Sequence, residues 1–179
     1  MTPPRDFILL AGRPALDLCN TRLGTEDLLT RPDDLARWFV ATGATDHAPP
    51  ISPSELAAAR ALRDGLREAL LASDGPAVAR IAEGWLGGAP GHLCVEEDTL
   101  RPRFTPGATT SCCLLVAAVL DALDLVRDSP GRVRECADAA CPVMYLDTSR
   151  NRSRRWCSME GCGARAKAST YYRRHRSAG

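Results

Sequence analysis

The chain has 179 residues and a mass of 19.3 kDa, with 45% hydrophobic and 25% charged residues; this ordinary globular ratio suits one domain, or a domain with a small appendage, and excludes wholesale disorder. No stretch approaches the roughly 18 apolar residues that a spanning helix needs, and MTPPRDFILLAG places an acid before a very short apolar run, a poor export signal. The formal net charge of +1 hides an asymmetry: residues 1–131 carry 12 Arg against 18 acids, whereas residues 132–179 carry 10 Arg and one Lys against 4 acids. The chain is therefore expected in the cytoplasm, without a membrane partner. In that reducing compartment eight cysteines serve as core residues, metal ligands or reactive thiols rather than as disulfides.

In chain order, Phe7 to Asn20 opens with the β-compatible run FILL and continues through Gly12 into ALDLCN, which reads as one or two short strands, or a strand and a bend. Asp33 is placed to cap a helix through Thr42 that stops at Gly43, with Leu35, Trp38 and Phe39 on its buried face. DHAPPISPS is a loop by composition. Ser52-Pro53-Ser54-Glu55 is a capping box with proline at the first helical position; it predicts a helix to about Ser73 with Leu56, Ala59, Leu62, Leu66 and Leu70 at helical spacing. A further helix is expected over Ala77–Leu86, ended by Gly87-Gly88. His92–Glu96 and Leu100–Thr105 flank the acidic turn Glu97-Asp98-Thr99 and read as a β-hairpin. Thr110–Val126 is apolar on nearly every side until Asp121, the pattern of a central buried helix. Ser129-Pro130-Gly131 then breaks the chain, so the expected division is a domain over 1–130 and a smaller module over 131–179.

The last third carries the chemistry. Cys136-x4-Cys141 is followed fifteen residues later by Cys157-x4-Cys162. A four-residue insert lets a tight turn aim two thiolates at one centre, and a second pair at a helix start completes a tetrahedron about Zn²⁺. A closed set of four sulfurs leaves no position for water or substrate, so one such zinc is structural and supplies folding free energy to a segment too small for its own core. Four free thiols or two disulfides are the bland alternatives. Pro142–Leu146 reads as a strand leaving the first pair, Asp147–Ser153 as a turn, and Arg154-Arg155-Trp156 as the returning partner strand. Ser158 is placed to cap a helix to about Arg174 with Cys162 in its first turn. Knuckle, hairpin and helix in that order describe a treble-clef-like module. Cys19, Cys94, Cys112 and Cys113 show no such spacing and read as small core residues.

The run CADAACPVMYLDTSRNRSRRWCSMEGCGARAKASTYYRRHR is similar to the CGNR zinc-finger family, through its C-x4-C pair, Leu146-Asp147-Thr148-Ser149, Arg154-Arg155-Trp156-Cys157-Ser158-Met159 and Cys162-Gly163-Ala164-Arg165-Ala166-Lys167. Ala164 stands where the family carries the asparagine of its name. The opening Gly12-Arg-Pro-Ala-Leu-Asp-Leu-Cys-Asn-Thr21 resembles that of the ABATE domain, which usually precedes this finger. Together the resemblances imply an α+β protein: a mostly helical N-terminal domain with a small antiparallel hairpin, then the four-cysteine finger. They also imply a bacterial transcription regulator of the stress-induced kind.

Residues 150–179 hold eight Arg and one Lys against Glu160 alone. On an ideal helix Ala164, Ala168 and Tyr171 share one face and Arg165, Arg173 and Arg176 another, with Lys167 and Arg174 on the far side. The loop Arg150-Asn151-Arg152-Ser153-Arg154-Arg155 adds a second cluster. The candidate DNA contacts are thus Arg150, Arg152, Arg154, Arg155, Arg165, Lys167, Arg173 and Arg174, with phosphate contacts supplying affinity and guanidinium forks at base edges supplying specificity. Arg154 or Arg155 can instead donate hydrogen bonds inside the finger. The competing reading is a zinc-stabilised protein–protein interaction module without direct DNA binding, or a merely solubilising face.

The chain reads as no enzyme. It has no P-loop, GxSxG or HExxH, and His47, His92 and His175 have no recognisable catalytic partner. Asp17, Asn20 and Thr21 form a polar cluster in an apolar opening; it reads as turn and cap chemistry or as a small-molecule effector pocket. In the second case the N-terminal domain senses a ligand or forms a homodimer.

Overall fold

Proline opens each of the first three helices, where its fixed φ is already helical and its missing N–H costs nothing. The computed structural model describes residues 6–9, 12–88, 91–96, 99–104 and 110–169, with 91–96, 99–104 and residue 110 described by backbone alone. Helix α1 spans Pro14–Cys19, α2 Pro32–Ala41, α3 Pro53–Leu71, α4 Gly75–Gly88 and α5 Thr110–Asp128. Three antiparallel pairs accompany them: β1 (Arg22–Leu23) with β2 (Glu26–Asp27), β3 (Gly91–Glu96) with β4 (Thr99–Phe104), and β5 (Val133–Glu135) with β6 (Met144–Leu146).

Helix α1 corrects the strand expected within Phe7–Asn20. Five of its six residues, Ala15 to Cys19, are buried, and a short helix buried on every side shows no helical period from which to recognise it. Residues 7–9 have no regular structure; Phe7 packs against the main core and Ile8 against the finger. In α2 the N-cap position is Arg31, not Asp33, and Asp34 three residues on reaches back to it: its Oδ2 accepts the N–H groups of Thr30 and Arg31 at 2.9 and 2.8 Å and the Thr30 hydroxyl at 2.7 Å. The box at α3 forms as its residues predict, Glu55 N–H donating to the Ser52 hydroxyl and Ser52 N–H to the Glu55 carboxylate. Asp74 accepts from Ala77 N–H at 2.9 Å, which starts α4 two residues before Ala77; the helix takes in Gly87 and Gly88.

Helix α5 is packed by α1, α3 and α4, burying Leu115, Val116, Ala118, Val119, Ala122 and Leu125. The five apolar positions of α3 are all buried against the same core. The β3–β4 hairpin pairs Gly91 with Phe104 through Glu96 with Thr99; its expected turn residues Glu97 and Asp98 lie outside the described residues, as do the side chains of His92 and Cys94. Cys19 is fully buried and Cys112 and Cys113 half-buried. Burial pushes the Cys19 thiol up to about 12, which keeps it an inert neutral thiol.

One buried cation organises the corner where α1, β2 and α3 meet. Arg63 is 1% exposed and forks onto Asp27 at 2.6 and 2.9 Å, while its Nε donates to Asp64 at 2.9 Å. Burial by itself raises the Asp27 carboxyl; the hydrogen bonds from Arg63 and from Leu29 N–H outweigh it and hold the carboxyl below the usual range.

The hydrophobic contacts do not stop at the Pro130-Gly131 break. Val133 and Met144 are part of the same core cluster as α1, α3 and α5. The Asn20 side chain acts as a strand partner for β6: its Nδ2 donates to Met144 C=O at 3.0 Å and its Oδ1 accepts from Met144 N–H at 2.8 Å. Arg67 donates to the Glu135 carboxylate and to Pro142 C=O.

Two outcomes are expected. Asp27→Asn should destabilise the protein at pH 7 by about 3 kcal/mol, the range for breaking a buried pair, read as a lower urea midpoint at unchanged slope. Because the lowered carboxyl contributes above the ordinary carboxylate pKa and loses its contribution as pH falls through the folded value, the gap between mutant and parent should narrow below about pH 4. Asn20→Ala should cost about 2–4 kcal/mol by orphaning two buried backbone groups, in the same measurement.

Candidate metal centre

The β5–β6 pair supports the first half of the centre. Val133 faces Leu146 and Glu135 faces Met144, so the chain between them turns back at Cys136 to Cys141. Cys136 N–H donates to Val143 C=O and Cys141 N–H to Asp138 C=O, which closes a tight knuckle. Here β5 is the partner of β6, in place of the expected Arg154–Trp156. The hairpin therefore embraces the first cysteine pair instead of following it. Residues 154–156 run alongside without strand pairing, attached by Ala137 N–H to Arg155 C=O at 2.8 Å.

The second pair sits at a helix start, as expected. The Ser158 hydroxyl accepts from Gly161 N–H at 3.2 Å, and the first turn, Met159–Gly163, is a π turn before the α-helical residues 164–169. The wider turn is closed by Gly163 N–H on Ser158 C=O at 3.0 Å, and it sets the Cys162 sulfur against Cys157. A side chain on Gly163 would meet the Met159 sulfur at 3.1 Å, so the turn also depends on that glycine.

All four sulfurs of Cys136, Cys141, Cys157 and Cys162 lie within 4.8 Å of one another. Cys141 to Cys157 and Cys157 to Cys162 are each 3.6 Å. Four sulfurs at about 2.3 Å from one Zn²⁺ stand about 3.8 Å apart, whereas a disulfide needs about 2.05 Å. The donor set thus fits one zinc ion and fits no disulfide. Three of the four are buried and Cys141 half-buried, so the site is structural. Cys157 N–H donates to Cys136 Sγ at 3.5 Å and Arg165 to Cys162 Sγ at 2.9 Å, donors that offset the charge of a four-thiolate centre. Without a cation, burial and the neighbouring thiols push Cys162 up to about 11 and Cys157 higher. Zinc is what makes this cluster of thiolates stable.

Two residues placed among the DNA contacts are committed within the finger. Arg154 lies over the Tyr145 ring, 4.7 Å from its centroid, and donates to the carbonyls of Leu146, Trp156 and Cys157; Tyr145 in turn donates its hydroxyl to Arg154 C=O. Arg165 donates to Asp138 through Nε and Nη2. Arg150, Arg152, Arg155 and Lys167 are exposed, and none forms an ion pair among the described residues. Arg155 stacks on Trp156 at 5.3 Å. Arg173 and Arg174 lie outside the described residues, as do Tyr171, Arg176 and His175. Ala164 is exposed.

Sequence reasoning placed Asp147 in a turn and in the family stretch without giving its carboxylate a task, and it gave Asp138 no role. Asp147 is fully buried; Oδ1 accepts Ser149 N–H and its hydroxyl, and Oδ2 accepts Arg154 N–H. Burial alone would raise this carboxyl, but those donors hold it below the usual range. The Asp-x-Ser spacing is an Asx-turn signal that could have found it. Of the three residues proposed for an effector, Asn20 clamps β6, the Thr21 hydroxyl donates to Leu18 C=O, and Asp17 lines a cavity with Trp38 and Leu114.

Fold and centre define a four-cysteine zinc-finger protein whose finger follows a mostly helical domain. Residues 12–129 match the model of the ABATE family, described as "Putative stress-induced transcription regulator", and residues 132–175 match that of the CGNR zinc finger. The chain belongs to the ABATE family and carries a CGNR zinc finger behind that domain. No curated protein matches it closely enough to count as a relative. No helix among the described residues is long and apolar enough to cross a membrane.

Cys157→Ser should lose the bound zinc and the finger's order while the helical core still melts cooperatively. Metal stoichiometry by a chromogenic chelator and far-UV circular dichroism check it; one full equivalent of zinc with an unchanged melt would count against the assignment.

Proposed function

We propose that the protein is a DNA-binding transcription regulator, in which the zinc finger grips duplex DNA and the N-terminal domain senses a ligand or dimerises. The observation that carries the reading is the loop over residues 147–155. From inside, Asp147 holds Ser149 and Arg154, Arg132 donates to the carbonyls of Asp147 and Ser149, and Arg134 donates to Arg152 C=O. From outside, the same loop presents Arg150, Arg152 and Arg155, with Lys167 on the following helix. A cationic loop ordered in advance loses little entropy on meeting a polyanion. Among the described residues Arg150, Arg152 and Arg155 form no ion pair with the acidic body, which supports an external partner over an internal one.

Fluorescence anisotropy with a labelled duplex over a salt series tests this. Three or four phosphate contacts predict a slope of log K against log salt of about −3 to −4. Arg152→Ala and Arg155→Ala should each keep zinc, weaken binding and flatten the slope by about 1. No binding at low salt, or binding indifferent to salt, would refute it.

Met159, 55% exposed beside the half-buried Trp156, favours a second reading as a zinc-stabilised protein-docking module. That reading predicts partners on pull-down that survive nuclease treatment and are lost in Met159→Glu.

A further inference from the structure

Modules that read DNA with a helix place its first residues against base edges in the major groove. The helix of this finger, over residues 159–169, is poorly supplied for that task. Cys162 and Gly163 are buried, Glu160 brings the wrong charge to a polyanion, and the exposed Ala164 and Ala168 end in methyl groups. Arg165 donates to Asp138 and to the Cys162 sulfur. Among the described residues this leaves Lys167 as the helix's cation without an ion pair.

The loop before it is equipped differently. Arg152 N–H donates to Ser149 C=O at 3.2 Å, so Arg150 and Asn151 are the two central residues of a tight turn. Arg152 closes the turn with a left-handed backbone, φ +53°. Two bonds brace it from behind: Ser153 N–H to the Ser149 hydroxyl at 2.9 Å, and Arg134 Nη2 to Arg152 C=O at 3.1 Å. Arg150, Asn151 and Arg152 are exposed, and among the described residues their side chains form no hydrogen bond or ion pair.

We propose that this turn reads the minor groove of A·T-rich DNA, with Arg150, Asn151 and Arg152 supplying the donors. A β-turn is about 7 Å across at its base, against about 12 Å for the width of the major groove and about 6 Å for the minor. In the wide groove such a tip meets one wall. At the narrow groove its backbone rides on the rim while two guanidinium groups and a carboxamide reach toward the floor, where the negative potential of A·T tracts draws arginine. The floor of an A·T pair presents acceptors alone, adenine N3 and thymine O2, which suit guanidinium N–H groups and the amide N–H of Asn151. A G·C pair raises an amino group there, a donor facing donors. The inference rests on the DNA-binding reading above and adds to it a groove and a base preference.

The test titrates the full-length, zinc-loaded protein by fluorescence anisotropy against three labelled duplexes of equal length, and so of equal phosphate number: alternating A·T, alternating G·C and alternating inosine·C. Inosine lacks the guanine amino group, so an inosine·C pair resembles A·T in the minor groove and G·C in the major. A·T and inosine·C should bind alike, and G·C at least about fivefold more weakly, the low end of what one base pair discriminates. Arg150→Ala and Asn151→Ala should each keep zinc and shrink that preference. Arg155→Ala, which removes the guanidinium stacked on Trp156 outside the turn, should weaken all three duplexes by the same factor. Netropsin, which fills the minor groove of A·T tracts, should displace the parent protein, a readout that needs no variant to fold. Inosine·C binding that follows G·C, equal binding to all three duplexes, persistence under netropsin, or a preference unchanged in both variants overturns the proposal and leaves DNA binding standing. Absence of binding to every duplex at low salt refutes the DNA-binding reading itself, and this one with it.

Discussion

Four sulfur atoms around one cation are the constraint on which the C-terminal third depends. Its strands are three residues long, and among the described residues its own buried cluster holds Cys136, Val143, Tyr145, Cys157 and Cys162. A segment with so little apolar surface cannot offset the entropy of ordering some forty residues. The metal bond supplies the missing free energy, and the surrounding donors turn that bond into a shape. Arg165 reaches from the helix to Asp138 in the knuckle and to Cys162. Arg154 ties the carbonyls of Leu146, Trp156 and Cys157 at the two ends of the loop, and Asp147 fixes its turn. The charges that face solvent are held in place by charges that do not.

The finger is not a bead on a string. Met144 and Val133 complete the hydrophobic core of the helical domain, Leu23 and Ile8 pack against the finger's cluster, and Asn20 supplies the hydrogen bonds of a missing neighbour strand. Three-residue strands are marginal alone, and here the edge of β6 is answered by Asn20 from the other part of the chain.

Arginines illustrate how one residue type divides into two tasks. Arg63, Arg67, Arg132, Arg154 and Arg165 are used inside, on carboxylates, carbonyls or sulfur; Arg150, Arg152 and Arg155 point outward. Guanidinium suits the first group because its fixed fork satisfies several acceptors at once. On the DNA-binding reading proposed above it suits the second because the same fork matches phosphate. Sequence position alone does not separate them: Arg154 and Arg155 are neighbours with opposite roles.

Local chemistry was legible before any coordinates. Spacing alone placed the four cysteines, the Ser52–Glu55 box placed α3 and its buried face, and the acidic turn placed the β3–β4 hairpin, because each rests on contacts within a few residues. What the tertiary structure decided rests on contacts across the chain. The opening ALDLCN became a helix since its burial on every side erased its period, and β6 took β5 as partner because the pairing encloses the zinc knuckle. Asn20 turned out to be a clamp because Met144, 124 residues away, arrives beside it. Ligand spacing and capping are short-range and written into the order of residues. Strand partners, cavities and the choice between a buried and a displayed arginine depend on which distant groups arrive alongside, and only the folded chain brings them there.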